Sequence, residues 1–232
     1  MRAHNNLGNL LMMAAYADYD GAEVAFRAAI KVDPTEARAY NNLGILLQDV
    51  REDYDGAEAA FRTAIKLDPQ VASAHCNLGN LLKSVRRDAD GAESAYRMAI
   101  AVDPLHAKAR SNLGNLLMNV RGDFDGAEIA FRQALELDPS IAGSQWNLSK
   151  VLEVKGDLAG AIKATERYIQ AGDPDNDGEE RVSQLRAMME RSSISRNEAF
   201  APSQRAGCVN GQRQETAKPP RRRQPNNPSM DL

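Results

Sequence analysis

The segments AYNNLGILL (residues 39–47) and DGAEAAFRTAIKLDP (residues 55–69) decide the fold of this chain. In the first segment, Leu43, Leu46 and Leu47 recur at the i, i+3 and i+4 spacing of one helical face. The second segment places small and large apolar residues at helical spacing and ends in an Asp-Pro pair, which stops a helix. The two segments therefore predict a pair of α-helices that pack against each other.

The Asp-Pro pair divides the chain into repeats. Each copy follows the previous one by 35 residues, and the copies are Asp33-Pro34, Asp68-Pro69, Asp103-Pro104, Asp138-Pro139 and Asp173-Pro174. A fixed period of this length indicates stacked supersecondary units. We therefore expect five helix pairs, at about residues 1–34, 35–69, 70–104, 105–139 and 140–174.

Each repeat carries further local signals. A glycine follows the repeat leucine in four first helices, as Gly44 follows Leu43. Because glycine destabilises a helix by about 1 kcal/mol, we expect a neighbouring helix to approach closely there. Asp55 is predicted to cap the second helix, with Glu58 at the capping-box spacing. Pro69 is predicted to occupy the first position of the following helix.

This pattern resembles the tetratricopeptide repeat family. The Leu-Gly pair of the first helix, the Ala, aromatic and Ala residues of the second helix, and the closing Asp-Pro pair carry the resemblance. The resemblance implies an all-α, right-handed α-solenoid of about five helix pairs, in which the first helices line a concave groove. It also implies a non-enzymatic protein that binds protein or peptide partners.

The sequence departs from the family pattern in two places. The middle repeats have one residue more than the usual 34, and it is inserted in the turn before Asp53, Asp88 and Asp123. In the fifth repeat, the usual Gly, aromatic and Ala are replaced by Ser149, Thr165 and Tyr168. The 35-residue period also fits pentatricopeptide repeats, which bind RNA, but the Leu-Gly and Asp-Pro markers and the acidic body argue against them.

The two ends of the chain differ from the repeats. Residues 175–191 are predicted to form a capping helix, and residues 192–232 a disordered, basic, Pro-rich tail. The tail has a net charge of +4 and the rest of the chain −7. The run Lys218-Pro219-Pro220-Arg221-Arg222-Arg223 is compatible with a nuclear import signal, a nucleic-acid patch or a solvated end, and Pro225 and Pro228 give the spacing of a polyproline ligand.

Several classes of function are excluded or disfavoured by the sequence. Two cysteines in 232 residues exclude a disulfide scaffold, and no apolar run is long enough for a membrane helix, so we expect a cytoplasmic or nuclear protein. No phosphate loop, nucleophile elbow or metal-spaced cluster is present, so we expect no enzyme activity, no cofactor, no metal and no small-molecule substrate. His4 and His75 are assigned to packing.

One short segment before the capping helix has the start of a calcium loop. Asp173-Pro174-Asp175-Asn176-Asp177-Gly178 matches D-x-D-x-D-G. The twelfth position of such a loop requires Glu and is here Gln184. The sequence therefore favours helix capping by Asp177.

A column of asparagines is the strongest functional signal. The residue before the repeat leucine is Asn in all five repeats, and Asn is not a strong helix former. Three more asparagines lie one helical turn further on the same face. These predicted peptide-binding residues are Asn6, Asn42, Asn77, Asn112 and Asn147, with Asn9, Asn80 and Asn115. The column resembles the asparagine ladder of O-GlcNAc transferases, which holds peptide backbone, although the amides could instead bond between repeats and fix the stacking.

The sequence therefore favours a non-catalytic scaffold that binds an extended peptide in its groove. A clamp for acidic chaperone C-termini is disfavoured, because the residues before the column asparagines are Asn5, Asn41, Cys76, Ser111 and Trp146, without a lysine. Two alternatives stay open. One is a detached targeting region of a larger enzyme such as a glycosyltransferase, and the other is a nucleic-acid-associated adaptor that uses the basic tail.

Overall fold

The computed structural model describes residues 2–13, 18–172 and 177–200. Within these residues it contains eleven α-helices and no β-strand. The first ten helices form five consecutive pairs, and α11 follows them. The helices are α1 (Arg2–Met13), α2 (Tyr19–Val32), α3 (Ala37–Asp49), α4 (Tyr54–Leu67), α5 (Ala72–Leu81), α6 (Ala89–Val102), α7 (Ala107–Leu116), α8 (Phe124–Leu137), α9 (Ala142–Val154), α10 (Leu158–Gln170) and α11 (Gly178–Phe200).

Each first helix contacts the second helix of its own repeat, and α3, α5, α7 and α9 also contact the second helix of the repeat before them. First helices of neighbouring repeats also touch, α1 with α3, α3 with α5 and α5 with α7. This arrangement is an α-solenoid of five helix pairs, as the repeat pattern predicts. The pairs and the first part of α11 belong to one compact unit, Met1–Ser193.

The repeat glycines lie against the aromatic rings of the second helices. A Cβ atom at Gly44 would lie 2.7 Å from Cε1 of Phe61, and one at Gly79 would lie 2.7 Å from Cε1 of Tyr96. Phe61 and Tyr96 are completely buried. Only glycine lets the helices approach this closely, so the packing reason expected from the sequence is present.

The second helices begin earlier than predicted. The capping residue is Asp53, whose carboxylate accepts a hydrogen bond from the backbone N–H of Gly56 at 2.9 Å. Asp55, predicted as the cap, is already inside the first turn of α4. The sequence predicts the Asp of the Asp-Gly-Ala-Glu run, Asp55, as the cap. The structure instead uses Asp53, two residues earlier, because an N-cap side chain accepts from the N–H three residues on, which here belongs to Gly56. The equivalent caps are Asp18, Asp88, Asp123 and Asp157.

The prediction that Pro69 begins a first helix is also wrong. Pro69 lies in the turn between α4 and α5, and α5 begins at Ala72. The backbone N–H of Val71 donates to the carbonyl of Asp68, and the Asp68 carboxylate accepts from the N–H of Gln70. Asp and Pro are the residues that a β-turn favours at its first and second positions, and this turn separates the repeats.

The third and fourth repeats accommodate their extra residue in the last turn of the first helix. In the third and fourth repeats this turn is a π-helix, Leu82–Arg86 and Leu117–Arg121. Each π turn ends at a left-handed residue, Arg87 with φ 55° and Gly122 with φ 66°. One added residue therefore widens the helix end without displacing the helix that follows.

The fifth repeat replaces the glycine–aromatic contact by a hydrogen bond. Ser149 and Thr165 are both fully buried, and their hydroxyl oxygens are 2.7 Å apart. Ser149 is larger than the glycine of the other repeats, and Thr165 is smaller than their aromatic residue. Together the two side chains fill the space that Gly and an aromatic ring fill in those repeats. Tyr168, at the usual Ala position, packs on Trp146 with the ring centroids 5.0 Å apart.

Helix α11 covers the last repeat. Val182 and Leu185 are buried, and Arg181 donates to Glu153 at 2.8 Å while its guanidinium lies 4.9 Å from the Trp146 ring centre. The helix continues to Phe200, past the predicted capping helix at 175–191, because the first later proline is Pro202.

Some predicted features lie outside the described residues. These are the start of the calcium-like segment at Asp173–Asn176 and the tail from residue 201 to residue 232. The repeat and domain boundaries therefore stay predictions there. Among the helices that are described, none combines the length and the apolar character required to cross a membrane.

Candidate functional site

The predicted asparagines lie together on the first helices. We call this surface the asparagine face and define it by Asn6, Asn9, Asn42, Asn77, Asn80, Asn112, Asn115 and Asn147. Asn6 is exposed and the others are partly buried. Because the first helices of neighbouring repeats touch, these side chains form a row along the solenoid.

The asparagines donate hydrogen bonds from each repeat to the one before it. Asn42 Nδ2 donates to Asn5 Oδ1 at 3.0 Å and to Asn9 Oδ1 at 2.9 Å. Asn77 Nδ2 donates to Asn41 Oδ1 at 3.0 Å. All these bonds run in the same direction, so the amides link the repeats. This stacking role is the alternative to peptide binding that the sequence leaves open.

The later repeats continue the same pattern. Asn112 Nδ2 donates to Asn80 Oδ1 at 2.8 Å, and Asn147 Nδ2 donates to Asn115 Oδ1 at 2.6 Å. Sequence reasoning missed the buried acceptors Asn5 and Asn41, because they precede the column by one residue and looked like a separate position.

A buried network supports the middle of the row. The hydroxyl of Tyr96 donates to Asn80 Oδ1 at 2.8 Å, and Asn112 Nδ2 is 3.6 Å from the Cys76 sulfur. Burial raises the pKa of Tyr96 above its usual value, so the phenol stays protonated. Burial also raises the pKa of the Cys76 thiol, against smaller opposite effects of Asn112, Lys108 and Lys83. Both groups are therefore neutral structural partners of the amides near pH 7.

The row keeps part of its hydrogen-bonding capacity. Among the described residues, no donor reaches the Oδ1 atoms of Asn77, Asn112 or Asn147. An amide oxygen can accept two hydrogen bonds. Because each Nδ2 is held by the preceding repeat, the amide plane is fixed and the oxygen is a preorganised acceptor.

A polar cleft opens at the N-terminal half of the asparagine face. Its volume is about 720 Å³, and its lining includes Asn6, Asn42, Arg38, Asp68 and His106. The His106 ring accepts a hydrogen bond from the N–H of Ala109 and thereby caps α7. The cleft extends along several repeats, which suits an elongated ligand rather than a compact one.

A ladder of ion pairs stabilises the turn side of the solenoid. Arg86, the last residue of a π turn, binds Asp55 and also Glu58 at 2.9 Å in the preceding repeat. The same contacts recur every repeat for Arg51, Arg121 and, with lysine instead, Lys155. Sequence reasoning missed this ladder, although its signal is a basic residue that recurs at the repeat period.

The ion pairs lower the pKa values of two carboxyl groups of the ladder, Glu23 and Glu58. Burial alone would raise the pKa of Glu58, but hydrogen bonds from Arg62 and Arg86 outweigh it, and the pKa lies below its ordinary value. The pKa of Glu23 is lowered in the same way by hydrogen bonds from Arg27 and Arg51. These carboxylates are therefore ionised at neutral pH and belong to the structure of the repeats.

The histidines and acidic residues do not form a metal site in the part of the chain that is described. His75 is buried and its Nε2 lies 3.0 Å from the carbonyl oxygen of Pro69, as a packing residue would. His4 is exposed, so its assignment to packing is wrong.

Models of the tetratricopeptide repeat match residues 84–140 and 120–177, and a further model of this repeat matches residues 51–84. Together these matches cover more than half of the chain. No curated protein sequence matches the chain significantly.

Solved structures with the same fold agree with the family match. The chain is similar to PilF of Pseudomonas aeruginosa, with a TM-score of 0.70, 18% identity, and coverage of 87% of this chain and 92% of that one. It is also similar to MamA, with a TM-score of 0.58, 23% identity and coverage of 68% and 91%. YrrB, described as a protein with an unusual peptide-binding site, has a TM-score of 0.57, 23% identity and coverage of 78% and 90%. Tetratricopeptide repeat proteins in general are non-catalytic scaffolds, and their repeat domains generally bind protein or peptide partners. The chain belongs to the tetratricopeptide repeat family.

Proposed function

We propose that this protein is a non-catalytic scaffold that binds an extended peptide segment of a partner protein along the asparagine face. The observation that carries the proposal is the set of unoccupied amide oxygens of Asn77, Asn112 and Asn147 on amides that are fixed by the preceding repeat. An extended peptide presents N–H donors at regular intervals whatever its sequence, so such a row can recognise backbone.

The stacking bonds support this function rather than compete with it. A free asparagine would lose side-chain entropy when it binds a ligand. Here the Asn112 amide is already held by Asn80, and Asn80 is held by Tyr96. The resemblance of the column to that of O-GlcNAc transferases, and the peptide-binding site named for YrrB, point to the same use of the face.

A test requires a variant that weakens stacking without touching the asparagine face. Ser144 provides it, because its hydroxyl donates to Ser111 at 2.7 Å across the boundary between the fourth and fifth repeats, and both residues are buried. Ser144→Ala removes one inter-repeat hydrogen bond and leaves all column amides in place.

The experiment measures the affinity of a twelve-residue peptide selected on the immobilised protein from a random library. We expect the triple variant N77A/N112A/N147A to bind this peptide about 10-fold or more weakly, since each neutral hydrogen bond contributes about 0.5–1.5 kcal/mol. S144A is expected to melt at a lower temperature and bind normally. Equal affinity of the triple variant and the wild type would contradict the proposal and leave the asparagines as stacking residues.

A further inference from the structure

A second cavity lies between the fourth and fifth repeats. Its volume is about 820 Å³, and residues of α8, α9 and α10 line it. Leu135, Gln145 and Leu148 belong to the lining and are almost completely buried. None of the lining residues also lines the polar cleft of the asparagine face. The cavity is therefore a separate site from the proposed peptide groove.

The amide of Gln145 provides an unsatisfied acceptor in this cavity. The residue is only 3% exposed, and no donor among residues 2–13, 18–172 and 177–200 reaches its Oε1 atom. A buried amide oxygen without a hydrogen bond is energetically unfavourable, and natural structures contain few of them. Because Gln145 lines the cavity, a group that enters it can supply the missing donor.

The corresponding cavity between the second and third repeats has no such acceptor at this position. His75 stands there in place of Gln145, three residues before the repeat leucine, and its Nε2 atom lies 3.0 Å from the Pro69 carbonyl oxygen. This cavity measures about 420 Å³, and it has Met98 where the larger cavity has Arg167. The same place in the repeat is therefore satisfied internally in one cavity and left open to a ligand in the other.

Exposed charges at the rim of the larger cavity limit which donor can enter. Arg132 and Arg167 line it together with Glu136, and all three side chains are exposed. Arg132 is paired with Glu128, whereas Arg167 has no ion-pair partner in the described part of the chain. Two guanidinium groups disfavour a Lys or Arg side chain as the donor. A Ser or Thr hydroxyl has no apolar body to contact the buried leucines.

We propose that this cavity binds a tyrosine or tryptophan side chain of a partner protein. These side chains combine a large apolar ring with a polar O–H or N–H donor, and they are typical anchors of protein interfaces. The ring packs against Leu135 and Leu148, and its O–H or N–H group donates to Gln145 Oε1. The unpaired guanidinium of Arg167 suits the face of an aromatic ring. The proposal goes beyond the peptide groove, because it adds a second contact surface to the scaffold.

The test uses capped five-residue peptides, Gly-Gly-X-Gly-Gly, in which X is Tyr, Trp, Phe or O-methyltyrosine. Their affinities are measured by NMR titration of the ¹⁵N-labelled protein, and free tyrosine serves as a small-molecule counterpart. The variant Q145L removes the acceptor and keeps a side chain of similar size. Q48L is the matched control, because the Gln48 Oε1 atom is also buried without a partner among the described residues, but Gln48 lies in α3 and outside the cavity lining.

We expect the Tyr and Trp peptides to bind at least about 3-fold more tightly than the Phe and O-methyltyrosine peptides. Q145L should remove this preference and melt at an equal or higher temperature, since an unpaired buried oxygen is lost. Q48L and N77A/N112A/N147A should keep the preference. Equal binding of the Tyr and Phe peptides to the wild type, or a preference that persists in Q145L, would overturn the proposal.

Two further outcomes would replace it by another assignment. Loss of the preference in N77A/N112A/N147A would place the aromatic ring on the asparagine face and overturn the second site. Binding of free tyrosine without binding of the capped Tyr peptide would overturn a partner protein as the source of the ring and assign the cavity to a small molecule.

Discussion

Gly44 and Phe61 approach each other so closely that a Cβ atom on residue 44 would lie 2.7 Å from the Phe61 ring. The ring is completely buried and fixed by its neighbours, so it cannot move aside. The same relationship recurs for Gly8 with Phe26, Gly79 with Tyr96 and Gly114 with Phe131. This contact sets the distance between the two helices in each of the first four repeats.

Replacement of Gly44 by Ala is therefore expected to destabilise the protein. The added methyl group overpacks the contact, and we expect a loss of about 1–3 kcal/mol in the free energy of unfolding. Gly143→Ala is the matched control, because Gly143 lies in α9 with no atom within 4 Å of its Cβ position. That control should gain about 0.5–1 kcal/mol. Urea unfolding measures both, and an unchanged or increased stability of Gly44→Ala would contradict the packing described.

The fifth repeat offers a test of how its two unusual residues compensate for each other. Thr165→Phe alone should destabilise the protein, because the new ring meets the Ser149 side chain that now bonds Thr165 at 2.7 Å. The double variant S149G/T165F restores the combination of the other repeats and should recover most of the loss. Residues in direct contact typically couple by about 0.5–3 kcal/mol in a double-mutant cycle. Additive effects of the two changes would show that they do not share one space.

The ion-pair ladder predicts a dependence of stability on pH. The pKa values of Glu23 and Glu58 are lowered in the folded state, so their stabilising effect is complete above the unfolded pKa near 4.5 and is lost as the pH falls through the lower folded value. The variant R51Q/R86Q should therefore lose stability at pH 7 and show a smaller further loss on acidification than the wild type. Thermal melts at pH 7 and at about pH 3 measure this, and parallel acid losses in both proteins would contradict it.

The turn between the two helices of the third repeat contains backbone strain that a substitution can relieve. Arg87 has φ 55°, whereas the equivalent residue in the next repeat is Gly122 with φ 66°. Left-handed backbone is unfavourable for a residue with a side chain and neutral for glycine. Arg87→Gly is expected to raise the free energy of unfolding by about 0.5–1 kcal/mol. A lower melting temperature would indicate instead that the Arg87 side chain contributes contacts that outweigh the strain.

The sequence determines the repeat architecture because its signals are local and occur in four or five copies. Periodic leucines, the Leu-Gly pair and the Asp-Pro turns predict the helix pairs and their order, and the structure contains them. The helix starts were less predictable, since Asp53 and Asp55 are both good caps and only the position of the Gly56 amide selects between them. The π turns could not be predicted, because an added residue can be placed in the loop or in the helix end.

The candidate site was predictable in position but not in its bonding. The spacing of Asn77 and Asn112 predicts that they share one face, and the structure has both in first helices, Asn77 in α5 and Asn112 in α7. Which partner each amide selects depends on the distance between neighbouring repeats, which no local pattern contains. For that reason the acceptors Asn41 and Asn80 and the support from Tyr96 emerge only from the structure.

Recognition of peptide backbone by the asparagine face is tested most directly by removing the backbone donors of the ligand. The measurement is a calorimetric titration of the selected twelve-residue peptide and of the same peptide N-methylated at alternate residues, which keeps every side chain. If the amide oxygens of Asn77, Asn112 and Asn147 accept peptide N–H groups, at least one of the two N-methylated registers should bind about 10-fold or more weakly to the wild type. In N77A/N112A/N147A that difference should disappear. Equal affinity of the unmodified peptide and both N-methylated registers for the wild-type protein would contradict the account.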